Sequence, residues 1–352
     1  MRIGKSVDKK LAVYLVTLIA LHLIAIFPGF FASYDFSTQD RDSIYSPPSS
    51  LRFVDQKGLW HWRLSACTKQ ASQSGSIDLE KNDPKEGETC APVRFLISGS
   101  RYRVLGLFES SLHLFGVNPP NKILVFGTDS FGRDVFSRFV YGSQISLLAG
   151  ILATILTLAI GTVFGAVAGY YGGWMDAILM RGAEMFLALP WLYLLFAIRA
   201  FLPLHISPGK TFLLLIGVIG VVGWARPARL VRGVVLSGKE RGYCRAAKMY
   251  GASDLYVMRR HLLPQTYSVI LTQSALLIPQ YILAEVTLSF LGLGVGEPVA
   301  SWGNMLATLQ EYDVLVSYWW MWAPGIAVIP VFLSYQLLAN ALQERAKCSA
   351  SQ

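Results

Sequence analysis

Leu147 to Gly169 reads LLAGILATILTLAIGTVFGAVAG, 23 residues without a charge. A helix of that length spans about 35 Å, enough to cross a hydrocarbon core of about 30 Å. Glycine and alanine recur through it, and such small residues let membrane helices pack closely. Similar runs lie on both sides. Leu11 to Phe31 is an uncharged stretch of 21 residues. A cleaved signal peptide would want a shorter apolar core and an A-x-A-like site, and FFASYDF supplies neither, so an uncleaved first helix is expected. A third helix is expected from near Asp176 to about Leu202, kinked at Pro190, with Arg199 snorkelling near its end. A fourth starts near Phe212 and continues past Ala225. A fifth covers about Thr266 to Leu291, interrupted by Pro279 and Glu285. A sixth lies within Val314–Gln343, 30 uncharged residues that include Pro324 and Pro330. Trp319, Trp320 and Trp322 at its start suit an interfacial aromatic belt.

Composition agrees with six spans. Of 352 residues 53% are hydrophobic and 15% charged, against about 25% charged in soluble domains. The fold class is therefore an all-α integral membrane protein of six transmembrane helices. Residues 32–143 stand apart, with 13 Lys/Arg, 12 Asp/Glu and many turn residues. They read as an insertion between helices 1 and 2, partly β. Arg52–Arg63 is strand-like, as is Val93–Leu107 around a Ser-Gly-Ser turn. Part of Gln70–Thr89 reads as a mobile loop.

Basic residues in short loops set orientation. Arg2, Lys5, Lys9 and Lys10 precede the first span, and Arg345 and Lys347 follow the last. Arg226–Arg260 holds nine Lys/Arg against Glu240 and Asp254. The loop between spans five and six carries Glu297, Glu311 and Asp313 and no basic residue. Six spans put every basic segment on one side. Both termini and the loop at about 240–265 are then cytoplasmic, and 32–143 faces out. The net charge of +9 is thus explained by topology and not by nucleic acid. Cys67 and Cys90 fall outside, where either a disulfide or two free thiols are open readings. Cys244 and Cys348 fall inside and are expected to be reduced. Neither CxxC pairs nor a His cluster occurs, so a structural metal is not expected.

The basic loop contains Tyr243-Cys-Arg-Ala-Ala-Lys-Met-Tyr-Gly251-Ala-Ser-Asp254, continuing to His261-Leu-Leu263-Pro264. Tyr243–Tyr250 reads as a short helix ended by Gly251, which permits positive φ. Ser253 or Asp254 can cap a second short helix, and Pro264 marks return to the membrane. Two short helices across a bend make a knob for a partner protein. A basic amphipathic loop on anionic lipid is the plainer alternative.

The loop resembles the EAA loop of ABC importer permeases, E-A-A-x3-G-x9-I-x-L-P. Ala246, Ala247, Gly251, Leu263 and Pro264 fall at matching offsets. Arg245 and His261 depart from the general pattern as the peptide/nickel branch does. Phe126-Gly-Thr-Asp-Ser-Phe-Gly-Arg-Asp134 resembles the segment before the second helix of C-type dipeptide/oligopeptide permease subunits, with Thr128, Asp129, Gly132, Arg133 and Asp134 matching. On its residues, that stretch is either an interfacial helix leading into span two or a direct contact for substrate or its delivery protein. Asp129 can cap it, and Arg133 and Asp134 can pair at the membrane surface.

The resemblance implies a type I importer permease fold and a coupling helix in which Arg245, Ala246, Ala247, Gly251, Ala252, Ser253 and Asp254 meet an ATPase. It implies a second, B-type permease, two ABC ATPase subunits or domains, and an extracytoplasmic solute-binding protein in a bacterial inner membrane. The chain has no G-x-x-x-x-G-K-[ST] phosphate loop, so no cofactor is expected on it and ATP belongs to the partners. The implied domains are 1–31, the insertion 32–143, a transmembrane domain 144–343 and a tail 344–352. Glu285 is a pathway or structural residue. Arg181 and Glu184, three apart, are expected to pair. A secondary transporter or channel would show internal repeats, and a membrane enzyme paired carboxylates or a His cluster. The sequence offers neither.

Overall fold

The computed structural model describes residues 2–54, 60–69, 88–104, 108–201, 203 and 206–350. In chain order the main elements are α1 (Arg2–Ile26), β1 (Ser50–Val54), β2 (Trp60–Lys69), β3 (Glu88–Pro92), β4 (Arg94–Val104), β5 (Phe108–Gly116) and α2 (Val135–Tyr171). There follow α3 (Gly173–Ala188), α4 (Trp191–Phe201), α5 (Pro208–Val222), α6 (Ala225–Lys239), α7 (Gly242–Met249) and α8 (Asp254–Phe290). Last come α9 (Trp302–Ala307), α10 (Tyr312–Ser317) and α11 (Ala323–Ala350).

Apolar runs become helices because lipid offers the backbone no hydrogen-bond partners. Among the described residues three helical stretches are long and apolar enough to cross a membrane alone: α2, α8 and Trp319–Glu344. The pairs α3–α4 and α5–α6 qualify only together, bent by 94° and 45°. Ala12–Ile26, within α1, is a shorter apolar helix.

Several sequence expectations need correction. The third span is broken rather than kinked. Leu189 is extended, at φ −86° and ψ 139°, because Pro190 excludes its predecessor from the helical region. Arg199 does not snorkel. It is buried, and its Nη1 donates to the Pro203 carbonyl at 3.3 Å. Pro279 and Glu285 do not interrupt α8, which runs through both. The sixth run holds a separate α10 and a 3-10 turn, Trp319–Trp322, before α11 starts. Arg52–Arg63 falls into two strands, β1 and β2. The Ser-Gly-Ser at 98–100 is not a turn, because β4 continues through it with a shift of register against β5. Of the expected mobile loop, residues 70–87 lie outside the described residues, while Glu88 and Thr89 belong to β3.

The chain divides into two compact units. The first comprises 1–19, 148–288 and 329–352. In it α2 meets α6 backbone to backbone. A Cβ on Gly161 would lie 2.8 Å from Pro227 Cβ, and one on Gly169 2.8 Å from the Arg232 carbonyl oxygen. One on Gly165 would collide with the Ala228 carbonyl oxygen. Three glycines at i, i+4 and i+8 thus make one groove, the close approach that small residues allow. Asp176 of α3 holds Arg232 of α6 through two bonds of 2.5 and 2.6 Å.

The second unit comprises 20–147 and 289–328. β1, β2 and β3 form an antiparallel sheet in that order, and β4 and β5 a hairpin. Cys67 and Cys90 face each other across β2 and β3 and are joined as a disulfide, with Cα atoms 4.0 Å apart. Ala66, Ala91, Val93, Val117 and Ile123 form one core, and Val135, Met305, Leu309, Val314, Trp320 and Met321 another.

Candidate functional site

The basic loop of the first unit is built on the ends of α2 and α6. α7 has a polar, exposed surface and buries Cys244 alone. Burial pushes the Cys244 thiol up. Gly251 adopts φ +83°. Its N–H donates to the Lys248 carbonyl and that of Ala252 to the Ala247 carbonyl, both at 3.0 Å. That pair of bonds is a Schellman cap. Ser253 then caps α8, accepting from Tyr256 N at 3.3 Å. α8 carries Pro264 by opening to a π turn over Met258–Leu262 and tightening to a 3-10 turn over Leu263–Thr266. The second helix of the expected knob is therefore not short, and Pro264 lies inside it.

Ala166, Tyr170, Val231, Val235, Cys244, Val257 and Leu262 form the core beneath, with Ala247, Ala252, Met258 and Leu263 against it. Arg245 and Ala246 are exposed, and Arg245 pairs with Glu240. That guanidinium holds the Glu240 carboxyl below its usual range. Lys248 pairs with Asp254 across the Gly251 turn. Ala247, Tyr250, Gly251, Ala252, Ser253, Tyr256 and His261 line one open depression. Met249 and Tyr250 stand out beside it, 88% and 92% exposed. The sequence reading placed both within the Arg245–Asp254 stretch but did not single them out, although an apolar pair at the end of a short helix was visible there.

The second motif lies in the other unit and is no interfacial helix. Residues 126–134 form a turn, buried at 127–129 and 132–134, closed by a bridge between Thr128 and Asp134, and α2 begins after it. Asp129 does not cap a helix but accepts from Phe131 N at 2.9 Å and Arg133 N at 3.0 Å. Of the two charges expected to pair, Arg133 does so, with one buried and one half-exposed carboxylate. Arg133 Nε meets Asp129 Oδ2 at 2.7 Å and its Nη1 meets Glu297 Oε2 at 2.6 Å. Arg138 Nη2 donates to Glu297 Oε1 at 2.9 Å. Thr128 and Gly132 are buried in the same turn, Gly132 at φ +69° against the Asp40 carbonyl. Glu297 is the residue sequence reasoning missed. Glu285 is fully buried within α8 of the first unit, and Arg181 and Glu184 form an exposed pair at 3.4 Å.

Asp134 caps α2, its Oδ2 accepting from Ser137 N at 2.8 Å and Ser137 Oγ at 2.6 Å. Its buried Oδ1 has no hydrogen-bond partner among the described residues. Burial pushes this carboxyl from 3.8 up to about 6. The folded chain therefore keeps a proton that the unfolded chain has lost. The associated stability is complete below pH 4 and falls as pH rises through 6, by about 3 kcal/mol. Asp134→Asn should remove that slope, which melting curves of both proteins between pH 4 and 7.5 will check.

A family model described as "Binding-protein-dependent transport system inner membrane component" matches residues 161–347. The dipeptide transport system permease protein DppC of Bacillus subtilis (strain 168) is 38% identical over 227 residues, covering 64% of this chain and 69% of the relative. The oligopeptide transport system permease protein OppC of the same strain is 34% identical over 227 residues, covering 64% and 72%. The solved MetNI methionine ABC transporter, inward facing, is 15% identical over 57% of this chain and 93% of its own, at a TM-score of 0.43, too low to carry weight.

Proposed function

The chain belongs to the family of binding-protein-dependent transport system inner membrane components, and from that premise we propose that it is one permease of an ATP-driven importer of peptides or similar small solutes. Peptides are the favoured cargo because relatives above 30% identity are named peptide permeases. The spans are α1, α2, α3–α4, α5–α6, α8 and Trp319–Glu344, with both termini cytoplasmic. Residues 1–31 hold the first span, 32–143 an extracytoplasmic insertion, 144–343 the transport domain and 344–352 the tail. The Cys67–Cys90 disulfide supports an external insertion, since such bonds persist in oxidising compartments.

The observation that carries the reading is the exposure of Met249 and Tyr250 at the Schellman-capped end of α7. Two large side chains held in the open by a rigid turn are what an ATPase groove can cover. Arg245, Ala246, Ala247, Gly251, Ala252, Ser253 and Asp254 make up the same contact, and His261, Leu263 and Pro264 hold its base. Two ATPase chains or domains bind the ATP, a B-type permease completes the path, and an extracytoplasmic binding protein delivers the solute. This chain binds no cofactor and does no chemistry on its cargo.

Gentle detergent extraction of the tagged chain, with partners identified by mass, tests this. A second permease and ATPase chains are expected in stoichiometric amounts. The double variant Met249→Asp, Tyr250→Asp should fold normally and lose the ATPases. Each apolar side chain covered is worth roughly 1.5–3 kcal/mol, so the pair weakens association on the order of a hundredfold or more. Purification of the chain alone under every mild condition would favour a secondary transporter or channel.

A further inference from the structure

The geometry points to Tyr170 as a positioning residue for coupling, the hydroxyl through which movement of the basic loop reaches α2. This rests on reading 240–265 as the loop that meets the ATPase. Tyr170 is the penultimate residue of α2 and is buried in the core beneath that loop. Its hydroxyl donates to Asp254 Oδ1 at 2.8 Å. Asp254 is the first residue of α8 and also takes the Lys248 ammonium from the last turn of α7. At the other end of the residue, Lys239 Nζ, at the end of α6, donates to the Tyr170 carbonyl at 2.7 Å. Both ammonium groups lie 5.7 Å from the centre of its ring. The ends of four helices thus converge on one phenol.

These bonds do different work. Lys248 and Asp254 are both partly exposed, with side chains 45% and 40% accessible. Their pair ties α7 to α8 and is open to screening by salt. The Tyr170–Asp254 bond is part-buried, of ordinary length at 2.8 Å, and charge-assisted, which makes it stronger than a neutral bond. It is also the side-chain hydrogen bond, among the described residues, that runs from α2 to the Gly251 turn. A push on α7 enters α8 through Lys248 and Asp254, and it enters α2 through the Tyr170 hydroxyl. The ring alone would still fill the core. Removing the oxygen therefore uncouples α2 without opening a cavity.

The test is Tyr170→Phe in the assembled transporter, reconstituted with a tripeptide as cargo and its binding protein outside. Only complexes that retain the ATPase chains are read, so a failure of the docking reading shows separately, in the Met249 and Tyr250 variant. Hydrolysis should stay within about twofold of the parent, while peptide moved per ATP falls about tenfold, the scale of one hydrogen bond to a charged group. Combined with Asp254→Ala, Tyr170→Phe should add nothing, because both break the same bond. Hydrolysis and transport falling in step, an unchanged ratio, or additive losses in the double variant would each overturn the assignment.

Discussion

Arg133→Met should lower the stability of the folded chain by about 3–5 kcal/mol, the cost of stripping one partner from a buried ion pair. Arg133 is the hub of its cluster, touching Asp129 at 2.7 Å and Glu297 at 2.6 Å. Asp129 is the residue that suffers. It is buried beside the start of α2, and without Arg133 its nearest cation is Arg138 Nε, at 3.7 Å. The carboxylate keeps its two backbone N–H donors, but its buried charge is left without a close counter-charge. Glu297 behaves differently, because its side chain is 48% exposed and can turn out to solvent. Glu297→Gln keeps an amide oxygen that can accept from the buried Arg138, and should therefore cost less than Arg133→Met, about 1–3 kcal/mol. Thermal unfolding of the detergent-solubilised protein checks both, and equal losses for the two variants would mean the buried carboxylate is not the cause.

Gly165→Leu should have a comparable effect through geometry. The added Cβ collides with the Ala228 carbonyl oxygen, a backbone atom that cannot rotate away. α2 and α6 must separate, and Gly161 and Gly169 lose their contacts with α6 at the same time. Overpacking of a core alone costs 1 to about 3 kcal/mol, and here the loss spreads about one turn to either side. The expected result is little monodisperse protein after extraction. Gly217→Ala is the control, since nothing lies within 4 Å of a Cβ there. It should be neutral or stabilise α5 by up to about 1 kcal/mol. A Gly165→Leu protein as stable as the parent would show that the groove opens freely.

Some of this was legible in the sequence because it is local. The uncharged run at Leu147–Gly169 pointed to a helix, and Gly251 permitted the positive φ that ends one, since both follow from neighbours along the chain. The charge cluster was not legible. Arg138 sits in an apolar helix and demanded a counter-charge, but Glu297, Glu311 and Asp313 were equal candidates in one loop, and the partner lies 159 residues away. Tyr170 and Asp254 are likewise 84 apart. Prolines misled in both directions. Pro190 announced a bend but not its 94°, while Pro264 and Pro279 announced breaks that α8 absorbs. The Ser-Gly-Ser in β4 had turn composition, yet pairing with β5 carried the strand through it.

The disulfide between β2 and β3 has a consequence for how the chain can vary. It closes a ring over a sequence separation of 23, and the ends of that ring are fixed by strand pairing whatever lies between them. Ring closure costs about 0.6 kcal/mol for each doubling of length. In closure entropy alone, a ring of twice this length would therefore cost only about 0.6 kcal/mol more to close.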